Sequence, residues 1–318
     1  MTCVALCSIK GSPGVTTLAT LLASTWPDRV VGQTVVVEAD PSGGDLAGRF
    51  GLSGNVGWSS LRSSERRSLD GWSLDGHLQY LPGGLPVLAA GRGADVPDAD
   101  DPLCTPLWAL PGERWDRIES IVVDLGRLSP SGGGIQTWMA RSDRTLVVTR
   151  GGTADLIHVR ERAAWLMDAT GGAVGLVTVG PAPSAHELLE FTGLELVGRM
   201  PLDGRAAAVA AGAGGMARRL TGSALLAASR RLAAELAEEM PHDTDSTNSP
   251  GSHSDQTRRS NRPRTTRKLR SGARLRRTGS PSQPRPDDRA VRPAIPVLAA
   301  HEAGAFQKKT ASNVEGAP

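Results

Sequence analysis

Val4-Ala5-Leu6-Cys7-Ser8-Ile9-Lys10-Gly11-Ser12-Pro13-Gly14-Val15-Thr16-Thr17 decides the fold. A short apolar run passes straight into a loop of small residues, and the loop passes into Leu18-Ala19-Thr20-Leu21-Leu22-Ala23-Ser24, which reads as helix. A tight turn between strand and helix aims backbone N–H groups and the positive helix end at one point, which suits an anion such as a phosphate. Thr16, at the helix start, is placed to put its hydroxyl on a magnesium ion. Taken alone, a loop this poor in glycine is equally an ordinary strand-to-helix turn.

Two acidic strand ends add to it. Val35-Val36-Val37-Glu38-Ala39-Asp40-Pro41 closes one apolar run with Glu38 and Asp40, and Ile121-Val122-Val123-Asp124-Leu125-Gly126 closes another with Asp124. Further apolar runs at Val87–Ala90, Thr145–Thr149, Val174–Val179 and Leu194–Met200 are short and rich in β-branched residues or Leu, as strands buried on both faces are. Between the runs, helices are predicted at Thr16–Ser24, Ala154–Ala169, Ala185–Phe191 and Ser223–Met240. Alternation of strand and helix predicts an α/β domain over residues 1–240, a mostly parallel sheet with helices on both faces. Right-handed crossovers bring the carboxyl ends of its strands, and with them the loop and the acids, to one edge.

Composition sets this domain apart from the remainder of the chain. The 318 residues carry a net charge of +3, but residues 241–318 hold 15 Lys+Arg against 7 Asp+Glu, leaving 21 against 26 for residues 1–240. From Pro241 the sequence is basic and rich in Ser, Pro and Arg, with one phenylalanine, Phe306, and no tryptophan. Such a segment buries too little apolar surface to offset its chain entropy, so a disordered tail is expected, with a short apolar patch at Ala294–Ala300. Within the tail, Arg258–Arg277 packs 10 Lys+Arg into 20 residues without an acid, a pattern suited to non-specific, salt-dependent DNA binding or to a solvated linker.

No apolar stretch is long enough for a transmembrane anchor, and cysteines at 3, 7 and 104 offer neither a disulfide framework nor a zinc set. Both points favour a cytoplasmic location. The six histidines (77, 158, 186, 242, 253 and 301) show no ligand spacing, and the seven tryptophans read as core or interface anchors. Lysine occurs only at 10, 268, 308 and 309, so Lys10 is the domain's sole lysine. A guanine-specific NKxD motif is absent.

With these features in order, the chain resembles the ParA/MinD family of P-loop ATPases over roughly residues 2–238. KGSPGVTT aligns with the family's deviant Walker A loop KGGxGK[ST]. VVVEADPSGGDLAGRFGL is similar to its switch I segment, WDRIESIVVDLG to its Walker B strand, and SDRTLVVTRGGTADLIHVR to a later strand and helix. The resemblance implies ATP and Mg²⁺ as ligands. Gly11, Ser12, Gly14, Val15, Thr16 and Thr17 would hold the phosphates, Thr16 and Asp124 would organise the metal, and Asp40 would orient water. Glu38 would support the metal site, and Asp45 reads as a solvated helix-start charge. Lys10 matches the signature lysine that reaches a partner's nucleotide, implying a nucleotide-dependent homodimer, and a protein activator is a further implied partner.

One position departs from the pattern. Where the family has the Walker lysine stands Val15, and losing one charge-assisted phosphate contact costs about 1.5 to 3 kcal/mol of binding. The leading expectation is an ATP-binding switch that positions DNA or a cellular machine, as in chromosome or plasmid partitioning, with weak hydrolysis. The alternatives are a pseudo-ATPase scaffold and a non-specific nucleic-acid-binding protein acting through its basic tail.

Overall fold

Side chains alternate between the two faces of a strand, and in this chain the alternation sorts the core into two layers. The computed structural model describes residues 1–11, 13–27, 33–65, 74–91, 96–101, 104, 118–128, 133–213 and 220–240. All of these lie in the first of two units, Met1–Gly251 and Ser252–Pro318. Ser12, the expected tail 241–318 and its basic run 258–277 lie outside the described residues.

Eight strands form one sheet: β1 (Thr2–Ser8), β2 (Gln33–Glu38), β3 (Gln79–Tyr80), β4 (Pro86–Leu88), β5 (Ile118–Arg127), β6 (Arg144–Arg150), β7 (Val174–Val179) and β8 (Leu196–Met200). Their order is β3-β4-β2-β5-β1-β6-β7-β8, and every pairing is parallel except that of the edge strand β3 with β4. Among the described residues the helices are α1 (Val15–Ser24), α2 (Leu46–Phe50), α3 (Trp58–Glu65), α4 (Gly133–Arg141), α5 (Thr153–Ala169), α6 (Ala185–Thr192), α7 (Gly204–Ala210) and α8 (Ala224–Glu239).

Cys3, Ala5 and Cys7 of β1 join Val35, Val37, Ile121, Val123 and Val147 in one core layer, covered by Trp58 of α3, Trp138 of α4, Leu156 and Val159 of α5, and Leu188 of α6. Val4 and Leu6 join Val36, Val122, Leu146 and Val177 in the other, covered by α1, Leu46 of α2, Ala206 of α7 and a long stripe of α8 from Leu225 to Ala237. The rings of Trp58 and Trp138 meet edge to face with centroids 6.2 Å apart. All three cysteines are free and buried. Among the described residues no helix is long and apolar enough to cross a membrane.

The strands expected from β-branched runs are present, with ends moved by a few residues, and β5 is far longer than its apolar core Ile121–Val123 because Ser120 and Asp124 are drawn into the ladder. Helices α2, α3, α4 and α7 have no counterpart among the predicted ones. The segment GGIQTWMAR of α4 begins with glycines and carries few strong helix formers, so its helix rests on burial of Ile135, Trp138 and Met139.

Candidate functional site

Strand β1 lies at the centre, with β5 on one side and β6 on the other, so the direction of chain progression reverses there. Ligands of open α/β sheets sit at the carboxyl ends of the strands beside such a reversal. The loop 9–14 occupies that place.

Gly11 and Gly14 adopt φ of 73° and 100°, the left-handed region that side chains disfavour. A Cβ at Gly11 would meet nothing within 4 Å. Gly14 is the N-cap of α1; no side chain caps the helix and its first turn holds no acid. The first N–H groups of α1, those of Val15, Thr16 and Thr17, therefore point at the loop without a side-chain acceptor, which is the geometry of an anion cradle.

Thr16 and Asp124 are neighbours: the Thr16 side chain acts on the Asp124 carboxylate and lowers its pKa, and Asp124 Oδ1 accepts the N–H of Gly126 at 3.0 Å. Asp124 is buried, and burial, helped by the nearby charges of Glu38 and Asp40, raises its pKa to about 7 against the pull of Thr16 and Gly126. Asp40 accepts the N–H of Ser42 at 2.7 Å and lies against Gly126, where a Cβ would collide with its carboxylate. Burial also raises the pKa of Asp40, opposed by its hydrogen bonds to Ser42 and by the charge of Arg127.

Three neighbouring carboxylates with little positive charge make a place that a divalent cation would relieve. Among the described residues no group of three or more His, Cys, Asp or Glu could itself hold a metal. A hydroxyl and a carboxylate such as those of Thr16 and Asp124 are donors of the kind magnesium takes, an ion that keeps several waters and accepts phosphate oxygens.

Three residues have side-chain surroundings that no local pattern indicates. Val15 is buried, 6 % exposed, and packs in the α1 core layer with Leu18, Leu22 and Val36. Glu38 spends its carboxylate on backbone: Oε1 accepts the N–H groups of Asp45 and Leu46 at 2.6 and 2.8 Å, and Oε2 accepts that of Ala90 at 2.9 Å. Lys10 is exposed and turns to α5, its Nζ 3.0 Å from Nε2 of His158, whose Nδ1 lies 3.3 Å from Glu161. Asp45, as its position suggests, is an exposed helix-start charge, paired with Arg49 at 2.6 Å.

Sequence reasoning missed His158, the neighbour of Lys10, and Arg127, the cation acting on Asp40. Neither belongs to a local motif. An arginine three residues beyond Asp124 on an apolar strand was the one visible sign.

No protein-family model and no curated relative matches the chain by sequence. Solved structures do match by shape. The MinC:MinD cell division protein complex of Aquifex aeolicus superposes with TM-score 0.58 at 16% identity, covering 76% of this chain and 98% of that one. A ParA family ATPase from Chlorobium tepidum TLS gives TM-score 0.58 at 16% identity over 73% and 98%. The septum site-determining protein MinD complexed with Mg-ADP from Pyrococcus horikoshii OT3 gives 0.58 at 17% over 75% and 96%. The fold of the described residues is thus of the ParA/MinD type.

Proposed function

We propose that this chain is a ParA/MinD-like switch that binds ATP with Mg²⁺, dimerises with the nucleotide and positions DNA or a cellular machine. The observation that carries the reading is an uncapped helix start behind a loop shaped by Gly11 and Gly14 at the central strand end, with Thr16 acting on the buried Asp124. The likeness to a MinD complexed with Mg-ADP supports it.

In this reading Gly11 and Gly14 shape the loop, Ser12 is a phosphate-binding residue as the resemblance implies, and the N–H groups of Val15, Thr16 and Thr17 donate to the phosphates. Thr16 and Asp124 would hold magnesium, which would supply charge neutralisation for phosphoryl transfer. Asp40 holds and orients the water, being near the metal ligands yet tethered to Ser42 rather than to a cation. Lys10 leaves His158 to reach the partner's nucleotide. The basic run 258–277 adds non-specific DNA contacts. Equilibrium titration of the full chain with a fluorescent ATP analogue and magnesium tests the reading, and no binding at millimolar nucleotide refutes it.

A second reading is favoured by Val15. Its side chain is apolar and buried in the core layer, so position 15 offers the phosphates a backbone N–H but no charge, which suits a nucleotide-binding scaffold without turnover. Phosphate release well above that of Asp40→Ala excludes the scaffold.

A further inference from the structure

Resting on the nucleotide reading above, we infer that Arg127 takes the place of the missing loop lysine: its guanidinium binds the terminal phosphate of ATP.

A triphosphate brought to this edge meets Glu38, Asp40 and Asp124, and the one cation of the loop, Lys10, is directed elsewhere. Val15 is apolar and buried, and Lys10 is turned to His158. A compensating charge must come from another element.

The ladder between β1 and β5 supplies one through an irregularity. Leu6 pairs with Asp124, but Ser8 pairs with Arg127, so β5 spends three residues where β1 spends two. The extra residue is accommodated at Gly126, whose φ of 59° lies in the left-handed region. Such a bulge re-aims the side chain that follows it. Its effect is visible in the core: Leu125 and Leu128, three apart, both pack in the same layer as Cys7. Arg127, between them, is directed to the opposite face, where its pairing partner Ser8 follows Val4 and Leu6 of the α1 layer. That is the face of the loop and Thr16.

Arg127 is exposed, and its charge acts on Asp40, the carboxylate assigned to the attacking water. The N–H of Leu128 bonds the carbonyl of Ser8 at 2.7 Å, which ties this stretch to the strand end that feeds the loop. A guanidinium whose charge reaches the water-orienting acid is suited to the terminal-phosphate end of the site, and its planar fork matches phosphate oxygens.

The test is equilibrium binding of fluorescent ATP and ADP analogues, with magnesium, to the full chain and to Arg127→Ala, Arg127→Gln and Arg127→Lys, each checked for an unchanged thermal melt. Loss of a charge-assisted contact predicts that Arg127→Ala and Arg127→Gln weaken ATP roughly 10- to 100-fold and ADP much less. Arg127→Lys recovers part of that loss. Equal ATP affinity in wild type and Arg127→Ala overturns the role of Arg127 and leaves the nucleotide reading standing, as does an equal loss of ATP and ADP. A wild type that binds neither nucleotide overturns both.

Discussion

Glu38 Oε2 accepts the N–H of Ala90 at 2.9 Å, joining two residues 52 apart in sequence. The same carboxylate holds the first N–H groups of α2 through its other oxygen. Gly44 lies so close that a Cβ there would strike the carboxylate, and the Trp58 indole N–H donates to the Glu38 carbonyl at 2.8 Å. The acid that ends β2 is therefore a brace joining the ends of β2 and β4 to α2 and α3. Glu38→Ala would leave three N–H groups without their acceptor, and a loss of about 3 kcal/mol or more is expected in chemical denaturation. Glu38→Gln, which keeps one carbonyl oxygen, should lose less.

The metal-free protein should lose stability as pH rises from about 4 to about 7. Burial raises the pKa of Asp124 to about 7, so the folded state holds its proton where the unfolded chain has released it. That contribution is complete below the ordinary carboxylate range and is gone once the pH has risen through the folded-state value of about 7. Glu38 and Asp40, also raised by burial, act in the same direction. Melting temperatures across this window should show the slope, and Asp124→Asn should flatten it.

Gly126→Ala should do more harm than a surface glycine change. The backbone there has φ of 59°, and the added methyl would collide with the Asp40 carboxylate. Roughly 1 to 2 kcal/mol for the left-handed conformation is the minimum expected loss. Phosphate release should fall too, because Asp40 is displaced. Full stability in the variant would contradict the bulge geometry.

Lys10→Ala should leave the melt nearly unchanged, since Lys10 is exposed and its ammonium meets a half-buried histidine at the surface. The effect belongs to assembly. Size-exclusion chromatography with light scattering should show wild type forming a dimer with ATP and magnesium while the variant stays monomeric.

Removal of residues 241–318 should abolish non-specific DNA binding and its steep salt dependence, given the ten basic residues of 258–277. Fluorescence anisotropy on random duplexes at two salt concentrations measures both. Unchanged affinity in the truncated chain would assign DNA binding to the domain.

The sequence by itself determined the architecture. Runs such as Val35–Val36–Val37 and Val174–Val179 are short, branched and uninterrupted, which suits strands covered on both faces, and the parallel order follows from the helices between them. The same local chemistry made the tight turn at Gly11 and Gly14 and the acid of β5 legible, because a strand-to-helix turn and an acid on an apolar strand are written within a few consecutive residues. What only the tertiary structure decided concerns side chains whose partners are remote. Lys10 meets His158 across 148 residues, Glu38 braces backbone beyond β4, and Val15 faces core rather than loop. Arg127 is aimed by a register shift between β1 and β5 that no local pattern encodes. Periodicity and turn chemistry act over neighbouring residues, whereas register and side-chain pairing arise when separated segments pack, and the charge balance of this site depends on the second kind.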